Sequence, residues 1–489
     1  MDNIFKNAYI ELHNHPGDLS YNVVDANEQF GLLKIHTNPV DILPMPIFIL
    51  FTIDKTGSMQ EVSDDNVSNM EYAIQTMKNM VRYISKQMGT IFIQINAFNS
   101  DVDVLIPRTQ ISAENLDKIC AKLDSIEPTG ITNIGNALQM AAQTLTTYSN
   151  EFPTHEIAHI FMTDGEPTDG VSDIIELTTY VNTSYPNMNI GFGHRHNVYL
   201  MRKLSDLDRS YYSFVDNAKN TSMVYGEMMH MLLYPIMKNV EIVVENGFIY
   251  NWRNNQWETK FTESVLVGDT TKIYHVKTGS GNEIRANLTG QSINLNQDQV
   301  SLVIDNIPDL IDEAGDISAY SDLTPYIFRQ KVQELLYTGR TANNMTNKSK
   351  YKKELLKLFN VIREYMKAHE LLQDPFLCQL CDDVAITYRT CSSEFGALYA
   401  NARSIAQGGQ HSYTPQLPKA IRQNRRMPPG IPSPPKLKRG IRIDSILQLD
   451  TAETDHEFDT EIDKYQTIRE NTSCYASPSA VIALHSFDA

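Results

Sequence analysis

The stretch that decides the fold is residues 47–58, IFILFTIDKTGS, in which a strand-length run of mostly apolar residues leads into Asp54, Lys55, Thr56, Gly57 and Ser58. An uninterrupted run of this kind suits a strand at the centre of a parallel sheet, where both faces are covered. The polar residues after it fit two chemistries. Asp54 could be a nucleophile that takes up a phosphoryl group, or Asp54, Thr56 and Ser58 could be oxygen donors to a metal ion.

Outward from this strand the pattern alternates. Residues 69–88, NMEYAIQTMKNMVRYISKQM, place Ala73, Ile74, Met77, Val81, Ile84 and Met88 at helical spacing. Strand-like segments follow in TIFIQINAF, DVDVLIP, HEIAHIFMTD, NMNIGFG and RSYYSFVD, with amphipathic helices between them. The expectation is a doubly wound, Rossmann-like α/β domain over residues 46–236. From 237 to 310 the period drops to two, as in NVEIVVENGFIYNW and TTKIYHVKTG, which reads as a β-sandwich. Residues 1–45 are also strand-like, in AYIEL and FGLLKIHT, and are expected to join that sandwich, so that the α/β domain is inserted between its strands. Residues 320–406 return to helical spacing and read as a helical bundle.

Residues 407–489 differ in kind. Seven of the 21 prolines fall between Pro415 and Pro435, eight basic residues and no acid lie between Lys419 and Arg442, and seven acids without Lys or Arg lie between Asp450 and Asp463. Such composition buries too little apolar area to offset chain entropy, so a disordered tail is expected. Its basic, proline-rich part suits either a groove on a partner or a solvated spacer.

With 489 residues, 42% hydrophobic and 21% charged, the chain is globular and multidomain. Its net charge of -17 opposes general nucleic-acid binding. The sequence shows no secretory leader and no apolar span of membrane length, and its five scattered cysteines do not form a disulfide framework. An intracellular, cytoplasmic protein with no membrane partner is the expectation. Cys378 and Cys381 in CQLC, with Cys391 nearby, lack a fourth zinc ligand and read as buried thiols, and the pairs His13/His15 and His194/His196 read as loop histidines.

In open parallel sheets ligands bind beyond the carboxyl ends of the strands, and the chemistry-bearing residues gather there. Asp54, Thr56 and Ser58 follow the first strand of the domain, Thr132 lies in the loop PTGITNIGNAL before a helix, and Asp164 ends the strand HEIAHIFMTD. All five offer oxygen, which favours Mg2+, Mn2+ or Ca2+ over zinc. Two carboxylates and three hydroxyls do not enclose such an ion. A position therefore stays open for an acidic residue supplied by a partner protein.

The set Asp54-x-Thr56-x-Ser58, Thr132 and Asp164 resembles the metal-ion-dependent adhesion site of von Willebrand factor A domains, with Thr56 where serine is commoner. That resemblance implies direct metal contacts from Thr56, Ser58 and Thr132, and contacts from Asp54 and Asp164 that are direct or through water. Residues 189–217 resemble the later strands and helix of A domains in intracellular proteins that combine this module with Hint, U-box or RING segments, although no Hint or RING pattern is present. The leading expectation is a non-enzymatic, metal-dependent protein-binding module acting as an adaptor or assembly component. A scaffold or virion component with a dispensable metal is the structural alternative. An aspartyl-phosphate enzyme acting through Asp54, as in a P-type cation pump, is the catalytic one, weakened by the missing membrane spans and by TDGEPTDG where a pump has a different later element.

Overall fold

A computed structural model describes residues 4–13, 23–25, 28–41, 45–62, 67–193, 196–215, 218–279, 283–293, 298–305, 322–341, 348–393, 396–411 and 474–487. Its largest sheet has six strands: β3 (Ile47–Asp54), β4 (Ile91–Phe98), β5 (Val102–Gln110), β6 (Glu156–Thr163), β7 (Asn187–Phe192) and β8 (Ser210–Val215), in the order β5-β4-β3-β6-β7-β8. All neighbours are parallel except the edge strand β5, which pairs antiparallel with β4. β3 is bonded on both sides, and every one of its residues is buried.

The alternation of side chains along β3 shows what covers it. Ile47, Ile49, Phe51 and Ile53 share a core with Ala73, Met77 and Ile84 of α1 (Asn69–Ser85) and Met228 and Met229 of α6 (Ala218–Leu233). Phe48 and Leu50 point the other way, onto Ala141, Leu145 and Tyr148 of α3 (Ile134–Glu151). α1 begins at a reciprocal cap, in which the Ser68 hydroxyl accepts from the Glu71 amide and the Glu71 carboxylate accepts from the Ser68 amide. It ends at Ser85, so Met88 lies past the helix and is fully exposed instead of extending the apolar face. Between the strands lie α2 (Leu116–Leu123), α4 (Ile174–Thr179) and α5 (Val198–Ser205).

Two further sheets face each other. One carries β1 (Phe5–Leu12), β2 (Phe30–Thr37), β13 (Thr271–Thr278), β10 (Gly247–Asn251) and β11 (Gln256–Glu258) in that order. The other carries β12 (Lys260–Val267), β9 (Pro235–Glu245), β14 (Arg285–Ser292) and β15 (Gln299–Asp305). β2 pairs with β13 from Thr271↔His36 to Lys277↔Phe30, so strands from before the α/β domain complete a sheet begun after it. Ile10, Leu33 and Ile35 then pack against Ile242, Leu266 and Leu288 between the two sheets.

Four helices follow: α7 (Thr324–Thr341), α8 (Lys348–Ala368) and α9 (Pro375–Thr390) pack around Val332, Leu358, Ile362, Leu380 and Val384, while α10 (Gly396–Gly409) places Leu398 and Tyr399 in a core with Leu200 and Phe214 of the α/β domain. Arg329 ties this bundle to the sandwich: one of its Nη atoms donates to Ile273 O at 3.2 Å and the other to Gln407 O at 2.6 Å. Cys378 and Cys381 are buried thiols whose pKa values burial raises, in keeping with a packing role.

The expectation of a tail from 407 onward is corrected at both ends. α10 continues to Gly409, and residues 474–487 return to the body, ending in α11 (Pro478–Phe487). The reason is apolar burial: Ala480 and Ala483 are fully buried, the latter in the core shared with α6. The charge blocks and prolines between lie outside the described residues.

His159, in the middle of β6, shows how tightly the central sheet is closed. Nδ1 donates to Asn187 Oδ1 at 3.2 Å and Nε2 accepts from the Thr52 hydroxyl at 3.0 Å, while burial lowers its pKa to about 4. Between about pH 6.5 and 4 the unfolded chain holds the proton that the folded one refuses, so this group makes stability fall as pH falls through that window. His159→Gln should remove about 2 kcal/mol of the stability difference between pH 7 and pH 5, read from denaturant midpoints at the two pH values.

Candidate metal centre

The chain leaves β3 at the carboxyl edge of the sheet with no freedom to wander. The Lys55 amide donates to Phe98 O at 2.8 Å, the Thr129 amide to Lys55 O at 2.7 Å and the Gly57 amide to Gly130 O at 3.1 Å. A 3-10 turn, Gly57–Gln60, follows and is pinned by Met59, which is fully buried. The loop carrying Thr56 and Ser58 is thus laced to the end of β4 and to the loop that carries Thr132.

Thr132 is fixed from the other side. Its amide donates to the Thr168 hydroxyl at 2.9 Å, and its carbonyl accepts from the amides of Thr168 and Asp169 at 3.0 and 3.1 Å. Asn133 next to it caps α3 by accepting from the Asn136 amide at 3.0 Å. Asp164 follows directly on β6, the strand paired with β3, so pairing register alone brings it beside the end of β3.

All five sequence-predicted residues meet at this edge. Ser58 Oγ donates to Asp164 Oδ1 at 2.8 Å and lies 2.9 Å from Thr56 Oγ1, which orients the Thr56 proton toward Ser58. The position a Cβ on Gly165 would take is 3.3 Å from Thr132 Oγ1 and 3.5 Å from Asp54 Oδ2. That glycine therefore leaves a small space walled by the Thr132 hydroxyl and the Asp54 carboxylate. Asp54, Thr56, Thr132 and Asp164 are buried, whereas Ser58 is exposed at the mouth.

Three contributors were not singled out in the sequence. The Thr163 hydroxyl donates to Asp54 Oδ2 at 2.6 Å, Asn69 Nδ2 donates to Asp164 Oδ2 at 2.7 Å, and Thr168 holds the Thr132 backbone. Thr163 could have been found, since it precedes Asp164 in a strand-ending TDG. Asn69 gives no such signal, because as the first residue of α1 it looks like any helix-start asparagine.

The electrostatics leave the two carboxylates short of positive charge. Burial raises the pKa of Asp54 to about 6, against the lowering hydrogen bonds from Thr163 and Thr56 and with a further rise from Asp164. Burial also raises Asp164, opposed by Asn69 and Ser58 and reinforced by Glu61. Lys55 does not offset them, since its Nζ is paired with Asp103 at 2.5 Å. Among the described residues no cluster of three or more His, Cys, Asp or Glu side chains forms a cage for a metal. The donor set here is of another kind, two carboxylates and three neutral hydroxyls gathered at one sheet edge, and its chemistry fits a hard divalent cation.

In metal-free protein a raised Asp54 pKa has the opposite sign from His159. Between about pH 4 and 6 the folded state holds a proton that the unfolded chain, near 3.8, has released, so this group makes stability fall as pH rises. Asp54→Asn should therefore stabilise the metal-free protein by about 1 kcal/mol more at pH 7 than at pH 5. Equal gains at the two pH values, measured by denaturant unfolding in chelator, would contradict the assignment.

Residues 49–166 match the family model described as the von Willebrand factor type A domain. Over 260 residues the chain is 26% identical to the uncharacterized protein YfbK of Escherichia coli strain K12, covering 51% of this chain and 42% of that protein. Over 228 residues it is 27% identical to the human inter-alpha-trypsin inhibitor heavy chain H4, covering 43% of this chain and 23% of that one. The chain thus spans less than half the length of these curated relatives. Among solved structures, a von Willebrand factor type A protein from Catenulispora acidiphila aligns over 83% of this chain and 97% of its own, with a TM-score of 0.53 and 12% identity. The chain carries a von Willebrand factor A domain, and the fold likeness extends beyond that domain.

Proposed function

We propose that this A domain is a divalent-metal-dependent protein-binding module and that the partner completes the site with an acidic side chain. The arrangement that carries the reading is an oxygen-only donor set, buried on four residues and exposed at Ser58, at the carboxyl edge of the sheet. Thr56, Ser58 and Thr132 would hold the cation, with Asp54 and Asp164 at its inner side. Bound there, a Mg2+, Mn2+ or Ca2+ ion supplies positive charge to which a carboxylate can attach.

The residues of this chain set the terms of that attachment. Neutral hydroxyls leave the cation under-neutralised, and the Thr163 and Asn69 donors hold the inner carboxylates still. Exposed Glu61, whose charge acts on Asp164, adds negative charge near the mouth, so an acidic partner is repelled until the cation is in place. Binding would then depend on the metal in an all-or-none way, which suits a reversible adaptor. Asp54 as a nucleophile is less well supported. Its side chain is fully buried, with Oδ1 accepting from the Thr56 amide and Oδ2 from Thr163, so neither oxygen is presented for attack.

Titration with Mg2+ or Mn2+ should raise the melting temperature of the full chain, because an ion that binds only the folded state stabilises it by about 3 kcal/mol at a hundred times Kd. Asp54→Asn and Thr132→Ala should each weaken this response at least tenfold while leaving the circular dichroism spectrum unchanged. No metal-dependent shift at millimolar ion would sink the metal site. A normal shift with partner retention that persists in chelator would favour the scaffold alternative.

A further inference from the structure

The C-terminal segment 474–487 sits on the body like a ligand, not like the last turn of a domain. It touches two units at once. On the helical bundle, the Cys474 amide faces Gln379 Oε1 at 3.3 Å, the Tyr475 hydroxyl donates to Gln407 Oε1 at 3.0 Å, and the Arg329 guanidinium lies over the Tyr475 ring at 5.4 Å. On the A domain, the Ser477 amide donates to Glu227 Oε1 at 2.8 Å and the Ser477 hydroxyl caps α11 by accepting from the Ala480 amide at 3.2 Å.

Ser479 is the polar centre of the contact. It accepts from the Tyr83 hydroxyl of α1 at 2.8 Å and donates to His230 Nδ1 of α6 at 3.0 Å, and His230 Nε2 in turn donates to Gly268 O at 2.9 Å. One buried hydroxyl therefore joins α1, α6, α11 and the sandwich, and every hydrogen in that chain has an acceptor. Around it the fit is close: a Cβ on Gly226 of α6 would stand 2.5 Å from Ala480 Cα and 2.9 Å from Ser479 O. Only glycine lets α11 approach α6 this far. Ala480 and Ala483 supply small side chains at i and i+3 on the facing side, while Ile482 remains over half exposed.

Between His411 and Cys474 lie 62 residues, so the segment is joined to the body by a long connection rather than by a turn. We propose that the face formed by α1, α6 and the edge of the bundle is a helix-docking site whose occupant is the chain's own C-terminal segment, held in cis as a separable clasp and replaceable by the same segment of a second copy. The site recognises a short helix with small residues at i and i+3, a hydroxyl at i−1 and a capping serine before it. Closing the clasp adds a second tie between the A domain and the helical bundle, which already share a core through α10, and opening it uncovers an apolar face on α6.

The test uses the full chain with a protease-cleavage sequence inserted between residues 430 and 460, cut after folding. A fluorescent synthetic peptide of residues 474–489 is then added, and its uptake is followed by anisotropy and size-exclusion chromatography. The expected result is that the cut fragment co-elutes with the body at high concentration, is displaced by the labelled peptide, and that uncut protein takes up at least tenfold less peptide. Gly226→Val should abolish uptake in the cut protein, and Ser479→Ala in the peptide should weaken it several-fold. A cut fragment that never exchanges, or labelled peptide that binds cut and uncut protein alike, overturns the proposal. Because Gly226→Val could also disturb α6, the peptide variant carries the same question without altering the body.

Discussion

The constraint on which the A domain depends is the double burial of β3. A strand bonded on both sides and covered on both faces has no route to water except at its end, and it ends in Asp54. The carboxylate is therefore delivered to the sheet edge already desolvated, which is why it needs the Thr56 amide and the Thr163 hydroxyl and why its pKa still stands near 6. The neighbouring strand β6 ends one residue before Asp164, so the same pairing brings a second acid to the same place. Two acids crowded out of water by the geometry of the core form an unfavourable pair, which the proposed cation would relieve. The fold thereby sets the electrostatic demand that the site expresses.

What the sequence made legible follows from how locally each feature is determined. A run such as IFILFTI states by itself that both faces are covered, and helical spacing after it states what covers one of them. The doubly wound class was readable for that reason, and the shared core of Ile49 and Phe51 with Met77 and Ile84 shows the physical basis. The five oxygen-bearing residues were readable because each sits immediately after a strand or before a helix. Asn69 and Thr168 were not, since their roles come from tertiary approach: Asn69 belongs to a helix start, and only the packing of α1 under the sheet edge sets its amide 2.7 Å from Asp164. Periodicity also overran its element at Met88, where a helical pattern continued past the point at which the backbone turned.

The C-terminal segment was illegible for a different reason. Ten residues, PSAVIALHSF, are too few to make a stable helix alone, and after a long proline-rich and charged stretch they read as part of the same tail. Their structure depends on Gly226 and on Tyr83 and His230, residues far away in sequence that carry no periodic sign of what they bind. A glycine inside an apolar helix looks like a weakness at about 1 kcal/mol. Here it is the position at which another helix comes in.

The two proposed sites would divide the A domain between opposite kinds of recognition. At the sheet edge, under the proposed function, buried oxygens would take a small ion first, and affinity for a partner would wait on its charge. On α1 and α6, the proposed docking would rest on shape, a single satisfied hydroxyl and apolar contact that salt and chelators leave alone. α1 takes part in both, through Asn69 at its start and Tyr83 near its end. α1 therefore fixes the two places relative to each other, so under the two proposals a partner at the sheet edge and a helix at the α6 face would be presented in one defined orientation.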